Sequence, residues 1–156
     1  MVRRAALAEA DLVGALTERA YRHGGWGGDE YAKVLLDGRS RIEEAVVFVA
    51  AVAGEVIGTV TIAPPGSRFG NVNRADEAEV RMLAVDPGAR GQGAGNALLT
   101  AGEASAWEMG LAAVVLSTEP DMHAAHRLYR RRGYVREPSR DWRINGTELL
   151  VFRLLR

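Results

Sequence analysis

Residues 85–99 read VDPGARGQGAGNALL, and this stretch decides the fold. An apolar run ends at Val85, four glycines lie around one arginine, and helical spacing begins near Asn96. Glycines crowded before a helix let backbone amides approach a ligand closely, and the helix N-terminus favours an anion. The stretch therefore predicts a strand, a phosphate-binding turn and a helix.

Two nucleotide-binding patterns do not fit this turn. A Walker A loop requires a lysine followed by Ser or Thr, and no lysine is present here. The dinucleotide pattern G-x-G-x-x-G, counted from Gly91 and Gly93, has Asn96 where the third glycine should be. The turn also follows a predicted antiparallel hairpin instead of the first strand of the chain.

Length and composition predict one soluble domain over residues 1–156. Twenty Lys+Arg balance twenty Asp+Glu, which argues against nucleic acid or an acidic membrane surface as partner. The absence of cysteine excludes disulfides, thiolate nucleophiles and Cys-based zinc sites. Glu9 and Asp11 interrupt any signal-peptide core, and no apolar stretch is long enough to span a bilayer, so we expect a cytoplasmic protein.

Periodicity predicts an α/β fold with a mixed, mostly antiparallel central sheet and flanking helices. One helix is expected over Leu7–Tyr21 and a second over Glu30–Leu36, capped by Asp29. In the segment 67–76 the apolar residues do not recur at helix or strand spacing, so this segment is expected to be a loop. The remaining expected elements are strands at 45–52, 56–62, 79–85 and 113–117, helices at 96–109 and 124–132, and terminal strands at 141–142 and 148–154.

Two motifs resemble the signatures of one family, the GNAT superfamily of N-acetyltransferases. The run RGQGAG at 90–95 is similar to the family's acyl-CoA pyrophosphate loop, Arg/Gln-x-x-Gly-x-Gly/Ala. The run AHRLYRRRGY at 125–134 is similar to its second signature, Ala-x-x-Leu-Tyr-x-x-x-Gly-Phe/Tyr. With the strand order, the resemblance covers about half of the chain. It implies the GNAT acyl-CoA N-acyltransferase fold, in which the parallel strands 79–85 and 113–117 splay apart.

The resemblance implies acetyl-CoA as co-substrate; from the residues themselves we expect no metal. The pantetheine arm would pair with Leu83, Ala84 and Val85, and the diphosphate would bind the loop that comprises Arg90, Gly91, Gln92, Gly93, Ala94, Gly95 and Asn96. An amine would attack the thioester directly in a ternary complex, and Tyr129 would protonate the departing thiolate. In isolation, Tyr129 also fits a core aromatic residue. The family often has Asn seven residues before this tyrosine, and this chain has Met122 there.

The general base and the acceptor are open at this stage. Glu79 is the first choice for the base, with a solvent-facing strand residue as the alternative, and Glu77, Asp141, Glu119 or a water chain are the other options. Trp26, Tyr31 and Trp142 are expected to line the pocket for a small-molecule or peptide amine, with the loop 67–76. His123 and His126 lack the other ligands of a metal site. A homodimer through the terminal strands and a catalytically silent CoA-sensing module are further possibilities.

Overall fold

The computed structural model describes all 156 residues, with five α-helices and eight strands. The helices are α1 (Ala10–Gly24), α2 (Gly28–Leu36), α3 (Gly38–Glu44), α4 (Ala94–Glu108) and α5 (His123–Arg131). The strands are β1 (Val2–Arg4), β2 (Val46–Val52), β3 (Glu55–Ala63), β4 (Glu77–Val85), β5 (Ala113–Thr118), β6 (Val135–Arg136), β7 (Trp142–Ile144) and β8 (Thr147–Leu155).

The strands form one sheet in the order β1-β2-β3-β4-β5-β8-β6, with β7 paired to β8. The register of the parallel pair β4–β5 runs from Glu77 opposite Ala113 to Val80 opposite Leu116. Antiparallel pairing joins β2 to β3 and β5 to β8. The predicted α/β class, with a mixed and mostly antiparallel sheet, is therefore confirmed.

By its internal contacts the chain divides into two compact units. The first unit comprises 1–62 and 82–102, and the second comprises 63–81 and 103–156. In the first unit, Val13 of α1 packs against Val47 and Val49 of β2. The second unit has its own core around β5 and β8, in which Val115 and Phe152 are buried.

Several expected boundaries are wrong. The α1 helix continues to Gly24, α2 starts at Gly28 without any side-chain cap, and Asp29 is therefore not the capping residue. The α3 helix was not expected, because Asp37-Gly38 has the composition of a turn. In the structure the Asp37 carboxylate accepts a hydrogen bond from the Ser40 amide at 3.1 Å and caps α3.

The end of α2 and the start of α3 make close backbone contacts with α1. A Cβ at Gly14 would lie 2.1 Å from the Leu36 carbonyl oxygen, and a Cβ at Gly38 would lie 2.2 Å from the Ala10 carbonyl oxygen. Only glycine leaves room for this approach. The junction of α2 and α3 is therefore packed tightly on α1, and α3 combines this tertiary contact with the cap at Asp37.

Candidate active site

The glycine-rich turn in the first unit has the backbone shape that an anion site requires. Gly91 and Gly93 have φ angles of 82° and 79°, which favour glycine, and a Cβ at either residue would meet no protein atom within 4 Å. The Gly93 carbonyl accepts the hydrogen bond of the Ala97 amide at 3.0 Å, so α4 starts immediately after the turn. The first amides of a helix have no intrahelical acceptor, and with the helix dipole they favour a phosphate.

Side chains around the turn leave its outer surface open and polar. The run Arg90, Gly91, Gln92, Gly93 is exposed, and so is Asn96, whereas Ala94 is buried. No acidic residue lies in the first turn of α4. Leu98 and Leu99 are fully buried and anchor the helix. The turn is thus fixed on its inner side and free to receive an anionic ligand on its outer side.

Asp86 fixes the start of this turn. Its carboxylate accepts hydrogen bonds from the Gly88 amide at 2.9 Å and from the Arg19 guanidinium at 2.7 Å. The Gly88 amide and, secondarily, Arg19 hold the pKa of the Asp86 carboxyl below its usual value. Sequence reasoning did not identify the Arg19–Asp86 pair, which ties α1 to the turn within the first unit.

The strand before the turn contains a local distortion. Met82 is a buried non-glycine residue with φ of 53°, which interrupts the extended backbone of β4. The three residues that follow, Leu83, Ala84 and Val85, are those expected to pair with pantetheine. A strained backbone conformation costs energy and persists only where the surrounding structure holds it, and such residues are concentrated at functional sites.

The acceptor residues expected on the first unit lie in an aromatic cluster between α1 and α2. Trp26 and Tyr31 flank Tyr21, with ring centroids 6.5 Å and 6.2 Å from the Tyr21 ring. The Trp26 ring covers Gly24, where a Cβ would lie 2.4 Å from the indole. Tyr21 also packs against a cluster that includes Ala84 of β4. The aromatic cluster therefore packs against the buried cluster that contains Ala84, a residue expected to bind pantetheine.

Tyr129 lies on α5 in the second unit. Its ring is buried against Tyr134 and Phe152, at centroid distances of 5.8 Å and 6.0 Å. Its hydroxyl makes no hydrogen bond in the structure, yet the fold does not enclose that oxygen completely. Burial raises the pKa of the hydroxyl above its usual value, so the group keeps its proton at neutral pH.

Glu79 in the second unit is buried, so the solvent-facing alternative is wrong. Its Oε1 accepts hydrogen bonds from the amides of Asn71, Val72 and Asn73 at 2.8, 2.8 and 3.1 Å. Its Oε2 is enclosed without a hydrogen-bond partner. Burial raises the pKa of this carboxyl and outweighs the three amides and the nearby Arg81 charge, which act in the opposite direction.

The other candidate bases have different environments. Burial alone would raise the pKa of Glu77, but Arg140, the Arg74 amide and Arg153 outweigh it and lower the pKa to about 2. Arg136 lowers the pKa of Asp141 through two hydrogen bonds of 2.8 Å. Glu119 is half-buried, and burial with the nearby Asp121 charge raises its pKa.

The remaining expected positions have clear structural partners. The Trp142 indole donates a hydrogen bond to the Ser117 hydroxyl at 2.9 Å, within the second unit. Met122, at the family's usual Asn position, accepts a hydrogen bond at its sulfur from the Thr118 hydroxyl at 3.4 Å. The His126 Nε2 lies 3.0 Å from the Glu119 carbonyl oxygen. No group of three or more His, Cys, Asp or Glu side chains is arranged to hold a metal ion.

The expected site residues therefore fall into two sets. Residues 83–96, Trp26 and Tyr31 belong to the first unit, whereas Glu79, Tyr129 and Trp142 belong to the second. Sequence reasoning did not identify Glu18 and Tyr21, which line a cavity between α1 and α2, although their spacing of three places them on one face of α1. None of the helices is both long and apolar enough to traverse a bilayer.

Comparison with known proteins identifies one family. The model of the Acetyltransferase (GNAT) family matches residues 11–134. The mycothiol acetyltransferase of Amycolatopsis mediterranei is 37% identical over 104 residues, which are 65% of this chain and 34% of that protein. The uncharacterized N-acetyltransferase YhfO of Bacillus subtilis is 33% identical over 103 residues, 66% of this chain and 67% of that protein. The chain thus spans about a third of the length of the first of these relatives.

A solved structure shows the same fold. The yncA protein of Salmonella typhimurium, determined with its cofactor acetyl-CoA, superposes with a TM-score of 0.75 at 20% identity. The superposition covers 99% of this chain and 92% of that protein. Nearly the whole chain therefore adopts the architecture of the solved protein.

Proposed function

Because this chain belongs to the GNAT family of acetyltransferases, we propose that it transfers an acetyl group from acetyl-CoA to the primary amine of a small molecule or peptide. One observation carries the proposal: the left-handed Gly91 and Gly93 open the amide-lined turn that starts α4. An acyl-CoA diphosphate matches a site of this polarity and openness. The relatives and the yncA structure support the same donor.

In the proposed complex, the amides of 91–96 hydrogen-bond the diphosphate and Arg90 contributes a positive charge. Leu83, Ala84 and Val85 pair through their backbone with the pantetheine arm, as an added strand would. The distortion at Met82 supports this role, because it breaks the regular pleat directly before these residues. Acetyl-CoA supplies the thioester that is the acetyl donor.

In the proposed chemistry, the neutral amine attacks the thioester carbonyl, and a carbon–nitrogen bond forms as the carbon–sulfur bond breaks. A backbone amide near Leu83 or Ala84 stabilises the oxyanion. Glu79 takes the amine proton through water, since its pKa is raised towards the working pH. Tyr129 donates its proton to the thiolate, because its hydroxyl is protonated and has no competing partner.

The experiment is a screen of primary amines in which release of free CoA from acetyl-CoA is measured. We expect turnover with at least one amine, and a fall of kcat in Tyr129→Phe with little change in acetyl-CoA affinity. Tyr134→Phe is the matched control, because its ring also lies in this cluster but its hydroxyl donates a hydrogen bond to Glu103 at 3.0 Å. The Tyr134→Phe variant should be less stable than the wild type, but its folded form should have the same kcat.

Three outcomes are informative. Acetyl-CoA binding without turnover on any amine would favour the silent CoA-sensing module. Unchanged turnover in Tyr129→Phe would remove the role proposed for that hydroxyl. A protein whose melting temperature does not respond to acetyl-CoA would contradict the cofactor assignment itself.

A further inference from the structure

A cavity of about 210 Å³ lies between α1 and α2 in the first unit. Its lining includes the aromatic side chains of Tyr21 and Trp26 and the aliphatic side chain of Leu35. Its charged lining residues are Glu18, Arg22 and Asp29. The cavity therefore combines an apolar body with charged groups, as ligand pockets do.

The charges of the lining are not balanced. Arg22 lies 3.4 Å from Glu18 on the same helix, so those two charges offset each other. Asp29 makes no ion pair, whereas its neighbour Glu30 lies 3.3 Å from Lys33 and does not line the cavity. The lining thus has one carboxylate, the exposed Asp29 in the first turn of α2, that makes no ion pair.

Aromatic side chains and a carboxylate that makes no ion pair together favour a cation. An ammonium is attracted to the face of Trp or Tyr within about 6 Å and to a carboxylate by Coulomb attraction. An anionic occupant would be repelled by the Asp29 charge. The chemistry of the lining therefore selects for a positively charged group carried on an apolar body.

Two contacts within the first unit connect this cavity to the proposed acyl site. Tyr21 lines the cavity and also packs against the cluster of Leu16, Ala20 and Ala84. Arg19, two residues before Tyr21, pairs with Asp86 at the start of the glycine-rich turn. Tyr21 therefore links the cavity lining to the buried cluster that contains Ala84, one of the residues proposed to bind pantetheine.

We propose that this cavity holds the non-reacting part of the acceptor, and that the acceptor is an amine whose apolar body carries a second cationic group. The proposal rests on the acetyltransferase function proposed above and specifies its substrate class. Asp29 is the specificity-determining residue, and Glu18 assists it. The aromatic side chains of Tyr21 and Trp26 contact the apolar body.

The test compares two acceptors of the same shape, 1,4-bis(aminomethyl)benzene and 4-methylbenzylamine. The diamine has two equivalent amines, so a twofold advantage is purely statistical. We expect kcat/KM for the diamine to exceed that for the monoamine by about tenfold or more, which corresponds to about 1.4 kcal/mol. Asp29→Asn should remove most of this preference.

Glu30→Gln is the matched control, since it removes a carboxylate from the same first turn of α2 but away from the cavity. It should keep the full preference, so a loss in Asp29→Asn cannot come from the helix dipole alone. Glu18→Gln should reduce the preference partially. Equal kcat/KM for the two acceptors, or equal effects of Asp29→Asn and Glu30→Gln, would overturn the proposal.

A second readout does not depend on turnover. The diamine should raise the melting temperature of the wild-type protein and of Glu30→Gln, but not of Asp29→Asn. If no amine is acetylated while this pattern holds, the acetyltransferase function fails and the cation-binding cavity stands. If amines are acetylated but the diamine gives neither preference nor shift, the cavity proposal fails and the function stands.

Discussion

Substitution of Gly93 by alanine separates loss of the proposed diphosphate site from loss of stability. Gly93 has φ of 79°, and Gly54 in the β2–β3 turn has φ of 82°; a Cβ at either would meet no protein atom within 4 Å. Left-handed backbone costs alanine about 1–2 kcal/mol in both positions. For a chain of this length, each 1 kcal/mol lowers the melting temperature by about 2–4 °C.

The two variants should differ only when acetyl-CoA is added. At 100 times its dissociation constant, a ligand stabilises the wild type by about 2.7 kcal/mol, and the same gain is expected in Gly54→Ala. In Gly93→Ala the new methyl group projects into the open space proposed for the diphosphate. Loss of one charge-assisted hydrogen bond, about 1.5–3 kcal/mol, would weaken binding at least tenfold.

Thermal melting with and without acetyl-CoA, with calorimetric titration as a check, measures both effects. At the same ligand concentration, the stabilisation of Gly93→Ala should fall to about 1.4 kcal/mol or less. An equal ligand-induced shift in Gly93→Ala and Gly54→Ala would refute the assignment of the turn to the diphosphate.

Three further predictions concern the buried carboxylates and the helix contact. Glu77→Gln should lower the free energy of unfolding by about 3–5 kcal/mol, because it leaves two guanidinium groups without their carboxylate; urea denaturation measures this. The folded pKa of Glu77, about 2, lies below its usual value of 4.5, so the stability that ionised Glu77 gives the folded protein is fully present above about pH 4.5 and is lost as the pH falls towards 2. The free energies of unfolding of the wild type and of Glu77→Gln should therefore converge near pH 2, which acid denaturation measures. Glu79→Gln should lower kcat and abolish the acidic limb of the pH–rate profile, and an unchanged limb would exclude Glu79 as the base. Gly14→Ala should cost about 1–3 kcal/mol or more, because its Cβ would meet the Leu36 carbonyl; a urea midpoint equal to that of the wild type would contradict the close approach.

The features that sequence predicts well are those that depend on neighbours in the chain. The turn around Gly91 and Gly93 is local, because two left-handed residues directly before a helix leave a glycine pattern that can be read. The start of α3 is only partly local, since Gly38 packs against the Ala10 carbonyl of α1 in addition to the cap at Asp37. A reading of Asp37-Gly38 alone therefore predicts a turn.

The environment of Glu79 depends on a loop whose backbone the sequence does not describe. The segment 67–76 was correctly expected to lack regular structure, but its amides at 71–73 converge on the Glu79 carboxylate. Every residue except proline has a backbone amide that can donate a hydrogen bond, so the side-chain sequence does not reveal where these bonds form. The strand pattern alone therefore left a solvent-facing residue as the alternative, and the structure buries it.

Glu77 and Glu79 show why side-chain type is not enough to choose a base. Both are buried, and their spacing of two places them on one face of β4. Glu77 faces the guanidinium groups of Arg140 and Arg153, which hold it ionised with too low a pKa to accept a proton near neutral pH. Glu79 accepts hydrogen bonds from three neutral amides through one oxygen and leaves the other enclosed. The nearby Arg81 charge also favours the ionised form, but Glu79 has no carboxylate–guanidinium pair like those of Glu77, so burial dominates and its affinity for a proton rises. If a side chain of β4 accepts the amine proton, the charges that surround the two carboxylates assign that role to Glu79 and give Glu77 the task of holding the loop.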